Sequence, residues 1–280
     1  MGSGQFPLPE PAGTSRLNDR NMVRYTLPTE LQRLLQKTSW QADTLGMSSA
    51  QTFRLEGPES FYLKINPVDP WGGLKTEADA LVWLRAYLPA PEVVYYERLT
   101  GIDYLLIREL VGSPASADEW KTNPKRLAET LAVSMLALHS LEPASCPFDQ
   151  RTDTKLREVT SLVQRGLVDA DDFDDENQAR TPEHILEQLY AEQPADDDLV
   201  VTHGDFCLPN LILTDWRLSG FIDVGGLGVG DRYQDLALCL RDLADELGTN
   251  RYDACFLSAY GLRAVDTDKL RYFRLLDELK

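Results

Sequence analysis

The sequence predicts an α+β fold in two lobes, a small N-terminal β-sheet lobe and a larger, mainly helical C-terminal lobe. Three observations carry this. At 280 residues the chain exceeds the usual size of one domain and is long enough for two cores. Its first 111 residues hold short segments in which apolar and polar residues alternate, the period of half-buried strands. Beyond residue 112 the apolar residues recur at helical spacing, interrupted by one hairpin pattern. The expected boundaries are a partly disordered tail over 1–24, the sheet lobe over 25–111 and the helical lobe over 112–280.

Residues 5–20 carry Pro, Gly, Ser, Asn and Asp with little apolar periodicity, so order is expected to begin near Tyr25; Met1-Gly2-Ser3-Gly4 reads as a cloning remnant. Pro28 opens a short amphipathic helix in which Leu31, Leu34 and Leu35 share a face. Trp40–Leu45, Thr52–Leu55 and Phe61–Ile65 form a meander of three strands, separated by the turn-rich stretches at 46–49 and 56–59. Within the third, Tyr62 and Lys64 point to one side and Phe61, Leu63 and Ile65 to the other. By itself such a lysine is an exposed strand position. Gly73–Tyr87 has helical periodicity, and Val93–Arg98 and Tyr104–Leu110, joined through Thr100-Gly101, complete a sheet of five strands. Gly112-Ser113-Pro114 marks the lobe boundary.

In the second lobe Leu127, Leu131, Met135 and Leu138 define a buried helix over Pro124–Leu141, with His139 as a packing residue at its end. Six carboxylates then stand within eight residues, at Asp169, Asp171, Asp172, Asp174, Asp175 and Glu176. A solvated face and a lid over a cationic ligand share that composition. Leu236, Leu240 and Leu243 predict a helix over Asp231–Glu246, with Arg241, Asp242, Asp245 and Glu246 on its polar side.

Composition narrows the function. Forty-five acidic against twenty-eight basic residues give a net charge of −17, which disfavours nucleic acid and favours a polycation, although an acidic surface chiefly serves solubility. No apolar run reaches the roughly 18 residues of a membrane span, and Met1–Pro11 lacks the apolar core of a secretory signal. Cys146, Cys207, Cys239 and Cys255 have no metal-type spacing and read as reduced thiols in a cytoplasmic protein, expected to be a monomer or weak dimer.

The chemistry concentrates in His203–Asp223, HGDFCLPNLILTDWRLSGFID. Leu211-Ile212-Leu213 and Leu218–Ile222 flank Thr214-Asp215-Trp216-Arg217, a hairpin connection. Asn210 opens the first strand and Asp223 closes the second, so antiparallel pairing returns both to the end where the His203-Gly204-Asp205 loop enters. Mg²⁺ takes one or two protein oxygens besides phosphates and waters, which suits Asn210 and Asp223. Asp205, five residues before Asn210, matches the spacing by which kinase-type enzymes set a catalytic Asp against the hydroxyl being phosphorylated.

On VVTHGDFCLPN, GFIDVG, LGVGDRYQDLAL and the ending RLLDEL, the sequence resembles the aminoglycoside phosphotransferases, the 3′-phosphotransferase group in particular, from about Trp40 to the C-terminus. The resemblance implies a protein-kinase-like bilobal fold and Mg²⁺-dependent transfer from ATP or GTP to the 3′-hydroxyl of an aminoglycoside, with antibiotic resistance as the outcome. It implies that Asp205 is the catalytic carboxylate, that Lys64, held by Glu77, contacts the α- and β-phosphates, and that Tyr62 stacks on adenine. It further implies that Ser48, in a phosphate loop at 46–50, donates to phosphate, and that Arg108 and Leu110 offer main-chain atoms to adenine. On the acceptor side it implies an acidic lid from Asp172, Asp174 and Asp175, with Arg241, Asp242, Asp245, Asp277 and Glu278 bordering the amino sugar.

Two departures stand out. The group's Asp-x-Gly-Arg is Asp223-Val224-Gly225-Gly226 here, so an arginine that could steady the loop is missing. The chain ends Leu279-Lys280 in place of the group's aromatic residues, a departure that weighs against carrying over the terminal carboxylate as an amine ligand. Two other readings compete: a kinase of another small acceptor, such as a choline-like or macrolide compound, and a non-catalytic nucleotide-binding protein, hinted at by Gly226. Lys64, Glu77, Asp205, Asn210 and Asp223 standing together argue against the second.

Overall fold

The computed structural model describes residues 27–43, 50–68, 73–174 and 176–280. The expected tail, Ser48 with most of its loop, Asp175 and the side chain of Asp172 lie outside the described residues. The protein is a mixed α+β fold with an antiparallel sheet in its N-terminal part and a mainly helical C-terminal part. It divides into two compact units, the first holding the described residues up to Asp79 with Pro91–Glu109, the second Ala80–Ala90 with Leu110–Lys280.

In the first unit helix α1 (Thr29–Leu34) precedes the strands β1 (Ser39–Asp43), β2 (Gln51–Glu56) and β3 (Phe61–Pro67). Helix α2 (Gly73–Leu84) follows and runs on into the second unit, before β4 (Val93–Leu99) and β5 (Ile102–Arg108). The five strands pair antiparallel in the order β1-β2-β3-β5-β4. β5 starts two residues earlier than its apolar pattern suggests. The cause is local: Thr100 and Gly101 both take positive φ, 49° and 80°, closing a tight turn that pairs Leu99 with Ile102 at once. Leu63 and Ile65 of β3 are buried with Leu31, Phe53, Leu55, Tyr104 and Leu106, while Tyr62 and Lys64 on the other face are half-buried.

Buried Asp103 of β5 sets the position of α2. Its carboxylate accepts from Leu74 N at the start of the helix, from Arg98 at 2.7 and 2.9 Å and from the Tyr96 hydroxyl at 2.9 Å. Burial raises the Asp103 pKa, but Arg98 and Tyr96 outweigh it and hold the group below the ordinary carboxylate value. A charge at a helix N-terminus also meets the positive end of the helix dipole. About one turn on, Glu77 meets Lys64.

The second unit has two small antiparallel sheets among its helices. Its elements are β6 (Ser113–Pro114), α3 (Asp118–Lys121), α4 (Pro124–His139), α5 (Thr152–Gln164), α6 (Pro182–Ala191), β7 (Leu199–Thr202), β8 (Leu211–Thr214), β9 (Arg217–Phe221), β10 (Gly228–Asp231), α7 (Arg232–Leu247), α8 (Asp253–Tyr260) and α9 (Thr267–Asp277). One sheet has the order β6-β8-β9 and the other pairs β7 with β10. Asn123 caps α4 through Arg126 N at 3.2 Å, and Pro124 sits where its missing N–H costs nothing. Leu127, Leu131, Met135 and Leu138 are buried, α4 packing on α8 as α7 packs on α9.

Helix α5 buries Leu156, Val159 and Val163 on one face, and on that face stands Lys155, 5% exposed. Its nearest carboxylate oxygen belongs to Glu158, 3.7 Å away. Burial, then the charge of Lys280, lowers its pKa to about 8. An ammonium whose folded pKa is lowered costs stability below pH 8, and that cost fades as pH rises from about 8 to 10.5. Lys155→Met is therefore expected to stabilise the fold by about 2–4 kcal/mol at pH 7. In urea unfolding the gain should shrink by about half at pH 9.5.

Candidate active site

Strand β7 delivers His203-Gly204-Asp205 to the mouth of the β8–β9 hairpin. The hairpin turns through Asp215 and Trp216, both at positive φ (50° and 60°), as a two-residue turn compatible with strand twist requires. Leu211 pairs with Phe221, and Ile222 N donates to Asn210 O at 2.9 Å. Asn210 and the residue before Asp223 are thus tied together. Asn210 Nδ2 donates to Asp205 Oδ2 at 2.8 Å and to Asp205 O at 3.0 Å, so the amide nitrogen is spent on Asp205 and Oδ1 is left for another partner. The Cys207 thiol donates to Asp205 Oδ1 at 3.2 Å, kept protonated by burial and by the charges of Asp205 and Asp242.

The ring of His203 is fully buried between Phe206 and Phe221, with centroids 6.0 and 5.8 Å away. Its Nδ1 accepts from Asp205 N at 3.4 Å, which assigns the proton to Nε2, donating to Ile222 O at 3.0 Å. The ring therefore joins the loop to the end of β9. Asp223 follows in the left-handed conformation, φ 55° and ψ 44°, with its carboxylate exposed. Asp205, Asn210 and Asp223 come to one end of the hairpin. Among the described residues no group of three or more His, Cys, Asp or Glu could hold a metal ion. Asn210 Oδ1 and the Asp223 carboxylate are two hard oxygen donors, which fits Mg²⁺ completed by phosphate and water.

Asp235 of α7 supports this loop, a role its place in the sequence did not reveal. It is fully buried, and Oδ2 accepts from His203 N at 2.7 Å and Oδ1 from Gly204 N at 3.0 Å. His139 Nε2 lies 3.0 Å from the same Oδ2, and its Nδ1 lies 2.6 Å from the Tyr260 hydroxyl. Burial raises the Asp235 pKa, and His139, with His203, overcomes this and holds it low. Gln234 Nε2 adds a bond to Gly204 O at 2.8 Å. One signal was legible: Asp235 lies on the same helical stripe as Cys239 and Leu243, an acid where a core residue belongs.

Gly204 has φ 87°, and a Cβ there would come within 2.0 Å of Gly226 O. At the position of the missing arginine, the Gly226 backbone is instead packed against Gly204. Asp242, expected beside the acceptor, turns to the loop and accepts from Leu208 N at 2.5 Å. Burial raises its pKa.

A cavity of about 240 Å³ is lined by Asp169, Asp174, Arg241, Asp277, Glu278 and Lys280 among others. Arg241 pairs with Asp277 at 2.6 Å and with Asp174 at 3.5 Å. Glu278 accepts from Asp174 N at 3.0 Å and from Asn177 Nδ2 at 2.8 Å, joining the acidic segment to the end of α9. Asp245 lines an adjoining depression with Phe173, Asp174, Glu176 and Arg241.

In the first unit Lys64 Nζ lies 2.7 Å from Glu77 Oε1, both side chains largely buried. Tyr62 is half-buried beside them on the same face of β3, and Arg54 bonds to Glu109 at 2.8 Å. The Arg108 N–H is committed to Glu92 O at 2.9 Å, and its guanidinium to Glu59 and Glu92. In the second unit Leu110 is half-buried, its side chain close to Gly220.

A model of the phosphotransferase enzyme family matches residues 39–273. This chain belongs to the phosphotransferase enzyme family. An aminoglycoside 3′-phosphotransferase from Niallia circulans is 39% identical over 254 residues, covering 90% of this chain and 96% of its own. Among solved structures of the phosphotransferases, an aminoglycoside-3′-phosphotransferase of type VIII matches with a TM-score of 0.81 at 35% identity, over 90% of this chain and 97% of that one. The aminoglycoside phosphotransferase APH(3'')-Id from Streptomyces rimosus, in complex with ADP and streptomycin, matches with a TM-score of 0.78 at 30% identity, over 89% and 95%.

Asp235→Asn leaves an amide where a carboxylate accepts from two backbone N–H groups and faces His139, so at least one N–H must lose its acceptor. The expected loss is about 2–4 kcal/mol in urea unfolding. Turnover should fall with it, because the loop carrying Asp205 loses its support.

Proposed function

We propose that this chain transfers the γ-phosphoryl group of ATP, with Mg²⁺, to the 3′-hydroxyl of an aminoglycoside and so confers resistance to the drug. The observation that carries this reading is Asp205 held by Asn210 at the mouth of the hairpin that Asp223 closes. The acceptor is supported by the 39% identical 3′-phosphotransferase, and the donor by the ADP of the Streptomyces rimosus complex. The reading places the enzyme in the cytoplasm, where ATP is; no helix among the described residues is long and apolar enough to cross a membrane.

Asp205 has the role of catalytic carboxylate. Turned by Asn210 and Cys207, it orients the acceptor hydroxyl and takes its proton as the oxygen bonds to the γ-phosphorus. The bond from that phosphorus to the β-phosphate oxygen breaks, and the proton passes later to solvent. Asn210 Oδ1 and Asp223 would hold Mg²⁺, which when bound neutralises charge on the phosphate oxygens. Lys64, fixed by Glu77, binds the α- and β-phosphates, and Tyr62 stacks on adenine. Main-chain atoms of Arg108 and Leu110 serve the adenine edge; since the Arg108 N–H is engaged, Arg108 can offer its carbonyl. Catalysis is then positioning and charge neutralisation, without a covalent intermediate.

Asp174, Asp245, Asp277 and Glu278 present the anionic wall to the acceptor's ammonium groups, and the resemblance assigns Asp172 and Asp175 to the same role. Arg241 spaces that wall. Asp242, bonded to Leu208 N, acts as a positioning residue for the loop between Asp205 and Asn210.

Asp205→Asn should retain ATP affinity within about twofold while kcat falls by about 10²–10⁴, measured in a coupled assay over an aminoglycoside panel. Wild-type turnover in this variant would remove Asp205 from the chemistry. Asp223→Asn should shift a Mg²⁺ titration of turnover to about tenfold higher concentration, a change of about 1.4 kcal/mol; an unmoved midpoint would place the metal elsewhere.

A further inference from the structure

The acceptor pocket contains a cation of its own. Lys280 Nζ lies 3.1 Å from Asp277 Oδ1 and 3.3 Å from Gly204 O, the carbonyl next to Asp205. The other oxygen of Asp277 lies 2.6 Å from Arg241. Burial raises the Asp277 pKa, but Lys280 and then Arg241 outweigh it and hold the carboxyl below its usual range. Burial lowers the Lys280 pKa, and Asp277 followed by Asp205 overcomes that and holds the ammonium above its usual value. One carboxylate of the pocket thus offers an oxygen to each of two cations from the chain itself. Glu278 differs: its bonds are with Asp174 N and Asn177 Nδ2, both uncharged donors.

We propose that Lys280 is a specificity-determining residue whose ammonium occupies the place of an acceptor amine at Asp277, setting the enzyme against acceptors that carry an amine at that point. The proposal rests on the aminoglycoside reading given above. An acceptor ammonium that reaches Asp277 must displace a tethered one of equal charge, so the attraction gained is nearly cancelled by the attraction lost. The tether makes Lys280 a competitor at high effective concentration, and apparent affinity falls by the fraction of molecules in which the place is filled. Glu278 and Asp169 stay available to other amines. The pocket therefore favours aminoglycosides with fewer amines. Displacing Lys280 does not strip the loop of support, because Gly204 O also accepts from Gln234 Nε2.

The test is steady-state kinetics with neomycin as the polyamine acceptor, on the wild type and on Lys280→Met, Lys280→Gln and Lys280→Arg. Lys280→Gln removes the charge and keeps a donor for Gly204 O, so it remains informative if Lys280→Met folds poorly. Both neutral variants should lower the neomycin KM by about 3- to 10-fold, with the ATP KM within about twofold of wild type. Lys280→Arg, which keeps the charge, should keep the wild-type neomycin KM. A purely structural role would lower stability without lowering KM. A neomycin KM that is unchanged or raised in both neutral variants overturns this inference while leaving the activity reading intact. A wild type that phosphorylates no aminoglycoside overturns the activity reading, and this inference with it.

Discussion

A buried carboxylate is tolerable only when its lone pairs are filled, and Asp235 fills them with the backbone of the loop that bears Asp205. Two consecutive N–H groups converge on it because Gly204 takes a positive φ. The energetic interest lies in the asymmetry of such a site. The complete set of bonds contributes modestly to stability, whereas an incomplete set strands a charge in low dielectric. The loop is therefore held in one conformation. From the same carboxylate His139 and Tyr260 continue the network into α4 and α8, and Arg232 links Tyr260 at 3.1 Å to Asp198 at 2.6 Å. At the head of α7, Asp231 caps Tyr233 N at 2.9 Å and pairs with Lys269 of α9 at 2.6 Å. Four helices thus share responsibility for one short turn.

The hairpin mouth adds a second constraint, this one conformational. Asp223 is a non-glycine residue in the left-handed region, a conformation that costs about 1–3 kcal/mol and persists where the surroundings over-determine it. Those surroundings are the Ile222–Asn210 backbone bond, the His203 ring on Ile222 O and the close approach of Gly204 to Gly226. The close glycine contact helps explain how the loop is steadied with no arginine at position 226. Backbone packing and the Asp235 network supply that rigidity.

Charge works differently at the pocket than over the surface as a whole. A net charge of −17 draws polycations from a distance, but that field is screened within about 8 Å at physiological salt and discriminates little among them. Discrimination needs contacts at hydrogen-bond distance. There Arg241 and Lys280 neutralise part of the acidic wall, so the chemistry of the pocket is not what a count of acidic residues suggests.

Much of this protein could be read along the chain. The alternation in Phe61–Ile65 places Lys64 and Tyr62 on one face, the spacing of Leu127, Leu131, Met135 and Leu138 makes α4, and the polar interval between Leu213 and Leu218 makes the hairpin that gathers Asn210 and Asp223. These are local effects, fixed by side-chain period and turn chemistry within a few residues. The short strands β7 and β10 gave no such pattern, since four-residue buried segments are too brief to show a period. Nor did the sequence reveal the hydrogen-bond partners of Asp235, His139, Asp242 and Lys280. Their partners stand from 31 to 96 residues away for Asp235, 34 for Asp242 and 76 for the Gly204 contact of Lys280, and no local rule says which distant donor a buried acid or ammonium will find. Sequence determined the elements by local pattern, and pattern with resemblance named the residues proposed to react. Tertiary packing alone decided which polar groups are buried together, because the desolvation cost of each is met by partners that the fold brings from elsewhere in the chain.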